Sequence, residues 1–481
     1  MKKIIVLLLA LTFSFFAQAQ NTCGITREQA VQNILQSKAL AKKYLTNGLP
    51  EDEKYIPIKF HLVGDTDGQN RVTVPKVLQT LCEVNQEFDD VGFTFYIKDD
   101  FHFIDNSVIN SYSYSSSVVH NLCAAELDSQ AINIFIVKDI IAPLGTPLTV
   151  YDPTGDWIVV KNSYLNKLAA SHGLGHFFSL LHPFFIDMNY TVGSNAPITM
   201  EIDTSSTCAQ NCETVADLIC DTPPDYISIH LCTNLPVQYD YCGTEIHTMQ
   251  NNIMSYYTCD NQAFTTGQAL VMQGDYLKPS RDYIRSNYIP NSNIITQSPT
   301  LVSPANHSTV AANPVTLDWS DVPYTSMYLV EISKSINFSI EPQFFITTQS
   351  ELTISLNDAD KYHWRVTPFN EAYTCTEGLT TITWSFQNTV VNTSEILDIS
   401  NWALAPNPTD SAIRLTIQSR KKQDLIIQLI HPDGRLLSLE NKTVIPGLNQ
   451  IELPQDNIAS GAYIIRLISG KASECRKIII N

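Results

Sequence analysis

Hydrophobic residues in the first part of the chain follow two patterns, strict alternation and a spacing of three or four. Alternation and short apolar runs are typical of strands, whereas the wider spacing is typical of amphipathic helices. Helical spacing occurs within residues 24–55 and 74–88, and another helix is predicted to begin near Tyr164. The predicted strands are 56–63, 93–97, 132–137 and 157–160. Strands interleaved with helices predict an α/β layer.

The second part of the chain has a different pattern. After His182 it is irregular until a helix predicted at residues 265–287. Polar residues at 291–298 indicate a linker, and short alternating strands then predict a β-sandwich over 300–388. A last all-β unit is predicted at 402–481. The length of 481 residues agrees with about three domains.

The net charge of the chain limits the kinds of molecule that it is expected to bind. The formal net charge is −18, from 48 acidic and 30 basic residues. Such a surface repels phosphate backbones, so no nucleic-acid partner is expected. No Lys or Arg lies between Lys167 and Lys278, while eleven Asp and Glu do. Two interpretations of that stretch stay open, an acidic solvated surface and a cation-rich site.

Residues 1–19 have the three parts of a secretory signal peptide. Two lysines precede the apolar run 4–16, and residues 17–19 read Ala-Gln-Ala, the form of a cleavage site. That run is too short for a permanent span and no later stretch reaches eighteen apolar residues, so no transmembrane segment is expected. The protein is predicted to be exported through the periplasm and to be secreted or held at the outer cell surface.

Eleven cysteines agree with an oxidising compartment. Six of them fall in one irregular stretch: Cys208, Cys212, Cys220, Cys232, Cys242 and Cys259. Disulfides would constrain a segment that buries too little surface to order itself. A Cys-rich zinc site is the alternative, but no Cys-x-x-Cys pair is present. Because the number is odd, at least one thiol is free or pairs outside the chain.

Three histidines fall within the eleven residues 172–182. This stretch begins on the helix predicted near Tyr164. A spacing of four places His172 and His176 on one face of the helix, one turn apart, where both imidazoles reach one metal ion. The chain must leave the helix axis before His182 presents a third nitrogen. Three neutral imidazoles with one open position are a catalytic zinc arrangement. The alternative, three unrelated histidines, requires this spacing to arise by chance.

Four segments together resemble a known family. They are 171–182 with the three histidines, 217–223 (Asp-Leu-Ile-Cys-Asp-Thr-Pro), 252–256 (Asn-Ile-Met-Ser-Tyr) and 264–268 (Phe-Thr-Thr-Gly-Gln). This set resembles the metzincin zinc endopeptidases and, among them, the pappalysin family. The resemblance covers about residues 56 to 287. It implies an α+β metzincin catalytic-type domain at 56–290 followed by two all-β sandwich domains.

The resemblance also implies roles for individual residues. His172, His176 and His182 match the zinc ligands. Met254 matches the methionine of the Met-turn beneath the metal, and Tyr256 matches a tyrosine that approaches the metal and stabilises an oxyanion.

Two residues depart from the family pattern. Gly173 stands where the family has the glutamate that polarises the zinc-bound water, and Ser179 stands where it has a turn glycine. The first departure indicates a pseudoprotease that keeps the metal and has lost the general base. The alternatives are an active zinc endopeptidase that uses another acid, for example Glu201 or Glu213, and a surface adhesin that uses the fold as a scaffold. Ser179 is expected to adopt the left-handed conformation of the family's turn glycine, which is unfavourable for a residue with a side chain. His182 is therefore expected to be placed less well than the third histidine of the family.

Family members hold Ca²⁺ in the loops after the third histidine. The matching candidates here are Asp187, Asp217, Asp221 and the carbonyl of Thr222, since Ca²⁺ prefers oxygen ligands. Plain acidic loops are the alternative. By the same resemblance, Cys232 is expected to pair with Cys259 and Cys212 with Cys242, which leaves Cys208 with Cys220.

Cys23 resembles the cysteine of a pro-segment switch, whose thiolate occupies the open zinc position. On this interpretation residues 20–55 are an inhibitory pro-segment. The alternative is a disulfide from Cys23 to Cys82 or Cys123.

The C-terminal units resemble two further families. Residues 300–388 resemble fibronectin type III-like domains, with the tryptophans as core anchors, which implies a spacer or adhesion module. Residues 402–481, with Ala-Pro-Asn-Pro-Thr at 405–409 and Asp-Gly-Arg at 433–435, resemble the type A C-terminal sorting domain of the type IX secretion system. The partners implied are peptides or proteins outside the cell and the type IX secretion machinery.

Overall fold

A computed structural model describes most of the chain. The described residues are 27–47, 54–142, 147–165, 167–183, 212–214, 216–223, 225, 245, 247–257, 259, 262–356, 358–389, 399–409, 413–431, 436–453, 458, 460–469 and 472–480. The signal peptide predicted at 1–19 lies outside them, as do several single predicted residues: Cys23, Asp187, Glu201, Cys208, Cys232 and Cys242. The chain forms two compact units. The first comprises Met1–Ser303, Asp318–Leu352 and His363–Trp384, and the second comprises Pro304–Leu317, Thr353–Tyr362 and Ser385–Asn481.

A mixed sheet forms the centre of the first unit. Its region contains strands β1 (Lys54–Gly64), β2 (Phe93–Ile97), β3 (His102–Asp105), β4 (Ser111–Ser113), β5 (Ile132–Val137), β6 (Asp139–Ile141), β7 (Thr149–Asp152) and β8 (Trp157–Lys161). Six of them form one sheet in the order β2-β1-β5-β8-β7, with β3 also paired to β1. All of these pairings are parallel except that of the edge strand β7, which runs antiparallel to β8. The four strands predicted from the sequence are all present, whereas β3, β4, β6 and β7 are additional.

Helices cover this sheet. They are α1 (Arg27–Asn47), α2 (Val74–Glu87), α3 (Ser107–Asn110), α4 (Ser117–Ala124), α5 (Lys167–Phe177) and α6 (Thr266–Tyr276), with 3-10 turns at Asp89–Val91, Asn162–Tyr164, Pro279–Ile284 and Glu377–Leu379. The single helix predicted over 265–287 is wrong, because α6 ends at Tyr276 and a 3-10 turn begins at Pro279. Proline lacks an N–H and disfavours helical backbone in the residue before it; Lys278 is accordingly extended.

Helix α1 is part of the same core. Its buried residues Ala30, Ile34, Ser37 and Ala41 recur at helical spacing and form one face, which packs against α6. Ala30 and Ile34 belong to the same hydrophobic cluster as the strands of the sheet.

Residues 301–388 are built from short strands. They are β9 (Leu301–Ser303), β10 (Ser308–Val310), β11 (Val315–Trp319), β12 (Met327–Ser333), β13 (Gln343–Thr347), β14 (Glu351–Ile354), β15 (Lys361–Phe369) and β16 (Trp384–Asn388). Strand β12 pairs antiparallel with β13 and with β15, and β9 pairs antiparallel with β11. These pairings agree with the predicted β-sandwich.

Part of this region is fastened to the α/β sheet within the first unit. Met327, Leu329 and Phe369 belong to the hydrophobic cluster of that sheet. A disulfide joins Cys82 on α2 to Cys375. This bond excludes the predicted alternative of a disulfide from Cys23 to Cys82. Both the apolar packing and the disulfide therefore connect β12, β15 and the segment with Cys375 to the α/β sheet.

Strands of the second unit form an antiparallel C-terminal region. They are β17 (Ile399–Leu404), β18 (Ile413–Ser419), β19 (Gln423–Ile430), β20 (Leu436–Val444), β21 (Gly447–Leu453), β22 (Gly461–Ser469) and β23 (Ala472–Ile480). One sheet has the order β17-β18-β21 and the other β20-β19-β22-β23, and a single apolar cluster includes residues of both. No helix in the described part of the chain is long and apolar enough to cross a membrane.

The disulfides differ from those the resemblance implied. Cys212 bonds Cys220, so the predicted pairs Cys212–Cys242 and Cys208–Cys220 are both wrong. The turns between Cys212 and Cys220 bring their Cα atoms to 5.0 Å, within the usual range for a disulfide. Cys259 is also disulfide-bonded, to a cysteine outside the described residues, which leaves its predicted pairing with Cys232 a prediction.

Two thiols are free within the described ranges, the buried Cys123 and the exposed Cys475. A disulfide from Cys23 to Cys123 is therefore also wrong. The free thiols agree with the prediction that at least one thiol is free.

Candidate metal centre

The three predicted histidines meet at one point. The Nε2 atoms of His172, His176 and His182 are each 3.1 Å from the other two. Helix α5 places the first two on one face, one turn apart. In the described part of the chain, these three residues form the only cluster of His, Cys, Asp or Glu side chains suited to holding a metal ion.

A tight turn after α5 delivers the third histidine. The helix ends at Phe177, and the N–H of Leu180 donates to the carbonyl of Gly175 at 2.9 Å. Ser179 has φ of 69°, the left-handed conformation expected from the sequence. The chain therefore leaves the helix axis, and His182 comes within reach of the other two rings.

Backbone carbonyls fix the tautomers of two histidines. Nδ1 of His172 lies 2.8 Å from the Ile253 carbonyl, and Nδ1 of His176 lies 2.9 Å from the Leu180 carbonyl. Because a carbonyl oxygen only accepts, each Nδ1 carries the proton and each neutral ring presents a lone pair on Nε2. Burial lowers the pKa of His176 to about 3 and also lowers the pKa of His172 and of His182, so all three rings are neutral at pH 7.

This donor set fits a zinc ion. Lone pairs that face each other at 3.1 Å repel unless a cation lies between them. Ligands arranged tetrahedrally at about 2.0–2.1 Å from zinc lie roughly 3.3 Å from each other, close to the separation observed here. Orientation of ligating histidines by carbonyl acceptors is also the usual arrangement around protein-bound metals.

The segment with Met254 packs against the helix that carries the first two histidines. Met254 is fully buried, and its sulfur fills the space where a Cβ on Gly175 would lie. The side chain of Asn252 accepts from the Met254 N–H and exchanges two hydrogen bonds with Gln268 at the start of α6. The segment with Met254 is thus attached to both α5 and α6.

Tyr256 lies beside two of the histidines. Its ring centroid lies 4.9 Å from that of His182 and 6.2 Å from that of His172. The side chain is half-buried, a position compatible with the role that the resemblance implies.

Gly173 faces the edge of the sheet. A Cβ at this residue would lie 2.8 Å from Cγ2 of Ile158 on β8 and 2.9 Å from Oγ1 of Thr149 on β7. Real Cβ atoms essentially never approach other atoms so closely. The absence of a side chain at residue 173 is therefore what allows α5 to lie this close to the two strands.

The acidic candidates after the third histidine have different surroundings. Both carboxylate oxygens of Asp221 accept hydrogen bonds at the start of α6, from the Thr265 hydroxyl at 2.9 Å and the Gly267 N–H at 2.7 Å. Asp217 is buried, and its Oδ1 accepts from the N–H of Ile219 at 3.0 Å. The side chain of Thr222, also buried, lies beside the Asp217 carboxylate. Burial raises the pKa of Asp217 to about 7.

Three groups at the centre have no signature in the sequence. The backbone carbonyls of Ile253 and Leu180 orient two of the histidines. Because every residue carries a carbonyl, this role cannot be predicted from the residue type. Thr149 lies on β7, a four-residue strand that the alternation pattern did not reveal. The side chain of Glu213, which the sequence offers as a substitute acid, is exposed.

Comparison with known proteins gives one family match. Residues 403–481 match the model described as "Secretion system C-terminal sorting domain". Among curated proteins none matches the chain. The match confirms the sorting-domain resemblance at the C-terminus.

Several solved structures are similar to parts of the chain. Mature mirolysin from Tannerella forsythia, in complex with a cleaved peptide, is 17% identical over 49% of this chain and 96% of that chain, with a TM-score of 0.36. The FN1-FN3 domains of chicken CNTN1 are 12% identical over 38% of this chain and 66% of that chain, with a TM-score of 0.15. Dimeric latent PorU from Porphyromonas gingivalis is 14% identical over 38% of this chain and 20% of that chain, with a TM-score of 0.16.

The C-terminal match determines the destination of the protein. A sorting domain of this type interacts with the type IX secretion machinery. With residues 403–481 forming that domain, the protein is exported and is either secreted or attached to the cell surface.

Proposed function

We propose that this protein is a secreted zinc-binding protein of the pappalysin-like metzincin type that has little or no peptidase activity. The observation that carries the proposal is the pairing of an intact three-histidine cluster with Gly173, which brings no carboxylate to it. A fibronectin type III-like sandwich at 300–388 and the sorting domain complete the proposed organisation.

The histidines supply the metal-binding part of the proposal. His172, His176 and His182 would hold the ion and leave one position open. Bound there, zinc supplies a Lewis acid that polarises an oxygen ligand. Met254 and the Ile253 carbonyl keep the cluster in place, and Tyr256 offers a phenol beside it.

Loss of hydrolysis follows from Gly173. A general base or acid contributes about 10²–10⁴-fold to the rate of such reactions. Thr149 lies beside Gly173, and its hydroxyl donates to the Val159 carbonyl at 3.2 Å. A hydroxyl is a far weaker base than a carboxylate near neutral pH, so Thr149 does not replace the missing group. Peptides or proteins outside the cell would then be bound without rapid cleavage.

Metal content is the first test. Purified full-length protein should contain about one zinc per chain, and His176→Ala should lose it. His247→Ala is the matched control, because the side chain of His247 is 79% exposed. Wild-type protein without stoichiometric zinc would contradict the proposal and favour the adhesin alternative, in which the fold needs no metal.

Peptidase assays form the second test. Wild type should show little or no turnover of unstructured peptides. Gly173→Glu combined with Thr149→Ala, which makes room on one side of the new side chain, should gain turnover that a chelator abolishes. Chelator-sensitive turnover by wild type would overturn the pseudoprotease assignment. Glu201→Gln and Glu213→Gln would then identify the substitute acid.

We also propose that calcium binds near Asp217. The buried carboxylate of Asp217 supports this residue as one of the predicted ligands, whereas both carboxylate oxygens of Asp221 are engaged at the start of α6. Calcium should raise the melting temperature of wild type, and Asp217→Asn should abolish that rise. An equal response of both proteins would exclude Asp217 as a ligand.

A further inference from the structure

The turn between the second and third histidines is held by a side chain far away in sequence. Ser179, in its left-handed conformation, donates its hydroxyl to Oδ1 of Asp275 at 2.6 Å. Left-handed backbone is unfavourable for residues other than glycine. The hydrogen bond to a charged group offsets part of that cost.

Asp275 is the centre of a buried ionic network. Its side chain is 1% exposed, Lys278 approaches Oδ1 at 2.5 Å, and Arg281 approaches Oδ2 at 2.9 Å. Burial raises the pKa of Asp275, but the positive charges of Arg281 and Lys278 outweigh burial and hold this pKa below its ordinary value. The carboxylate is therefore charged. Arg281 also donates to the carbonyl of Phe177, the last residue of α5. The network therefore reaches both the end of the histidine-bearing helix and the turn that follows it.

Helix α1 lies on another side of this network. The hydroxyl of Ser37 donates to the Asn33 carbonyl at 2.8 Å, and its oxygen lies 3.4 Å from Oδ1 of Asp275. Lys278 donates to the same Asn33 carbonyl at 3.0 Å. The N-terminal helix thus shields from solvent the ion pairs that hold the turn.

We propose that Asp275 is a positioning residue of the metal centre. By binding Ser179 it stabilises the left-handed turn that brings His182 to the other two histidines. The inference rests on the proposed zinc site and concerns how the third ligand is held there.

Substitutions at residue 179 test this without breaking the buried ion pairs. Ser179→Ala keeps the strained backbone but loses the bond to Asp275, so its zinc affinity should fall about tenfold in competition with a chromophoric chelator. Ser179→Gly also loses the bond, but glycine adopts positive φ without cost. Its affinity should return to within about twofold of wild type. Ser163→Ala, at an exposed residue before α5, should leave zinc affinity unchanged.

Cobalt spectra separate positioning from general destabilisation. Co²⁺ bound to Ser179→Ala should show shifted and weakened visible absorption, whereas Co²⁺ bound to Ser179→Gly should give the wild-type spectrum. Wild-type affinity in Ser179→Ala, or equally weak binding by the glycine variant, would overturn the role of Asp275 while leaving the zinc site intact. Wild type that binds no zinc would overturn both.

Discussion

The carbonyl oxygen of Ser37 in α1 lies against Gly274 in α6, at 1.9 Å from the place where a Cβ on that glycine would be. The two helices therefore touch backbone to backbone. Together with the burial of Ile34, this contact makes α1 part of the core of the first unit. The contact argues against removal of residues 20–55 as a pro-segment, because loss of α1 would expose the face of α6 that it covers.

Gly274→Ala should therefore destabilise the protein. A backbone carbonyl cannot turn aside as a side chain does, so α1 must shift away from α6. We expect the free energy of unfolding to fall by about 2–4 kcal/mol, since overpacking of tight contacts usually costs 1–3 kcal/mol and occasionally more. Denaturant titration monitored by circular dichroism measures this. Gly378→Ala is the control, because a Cβ there would meet no atom within 4 Å. Equal denaturation midpoints for Gly274→Ala and Gly378→Ala would show that α1 moves away from α6 without loss of stability.

A second prediction concerns the disulfide between Cys82 and Cys375. These residues are 293 positions apart, and closing so long a loop removes much entropy from the unfolded chain. The double variant Cys82→Ser and Cys375→Ser should lose about 2–4 kcal/mol of stability and melt at a lower temperature. Cys475→Ser, which replaces an exposed free thiol, should melt with wild type. An unchanged melting temperature in the double variant would mean that the apolar contacts of Met327 and Leu329 alone fasten this region.

The sequence predicts features that depend on local spacing but not those that depend on contacts between distant segments. The separation of His172 and His176 is a property of one helix, and the need for a turn before His182 follows from the same helix. The pairing of Cys82 with Cys375 depends on how distant segments pack, and no spacing rule contains that information. The same holds for Asp275, whose bond to Ser179 spans 96 residues.

A third prediction concerns the contact between α5 and the strands. Alanine is favoured over glycine inside a helix by roughly 1 kcal/mol, so Gly173→Ala would stabilise an uncrowded helix. Here the collision with Thr149 and Ile158 should reverse the sign and cost about 1–3 kcal/mol. Thr149→Ala in the same chain should recover part of that loss, and Thr149→Ala alone completes the cycle. Additive effects of the two substitutions in denaturant titrations would show that the residues do not compete for space.

The last prediction concerns His61, which lies at the centre of the sheet. Its Nε2 donates to Oδ1 of Asn133 at 2.9 Å, its Nδ1 faces Nδ1 of His102 at 2.9 Å, and its ring stacks on Phe135. Burial is the main cause that lowers the pKa of His61 to about 4, and His102 and Lys59 lower it further, although the bond to Asn133 acts in the opposite direction.

A lowered histidine pKa gives stability a defined dependence on pH. The unfolded chain takes up a proton near pH 6.5, whereas the native protein resists it until about pH 4. Stability should therefore be unaffected by His61 above pH 6.5 and should fall by up to about 3 kcal/mol as the pH drops to 4. In His61→Gln the decline in the free energy of unfolding between pH 7 and 4 should be shallower by about that amount. His247→Gln should keep the wild-type slope, since the side chain of His247 is 79% exposed. Parallel slopes for His61→Gln and wild type would show that the native protein accepts a proton on His61 as readily as the unfolded chain does.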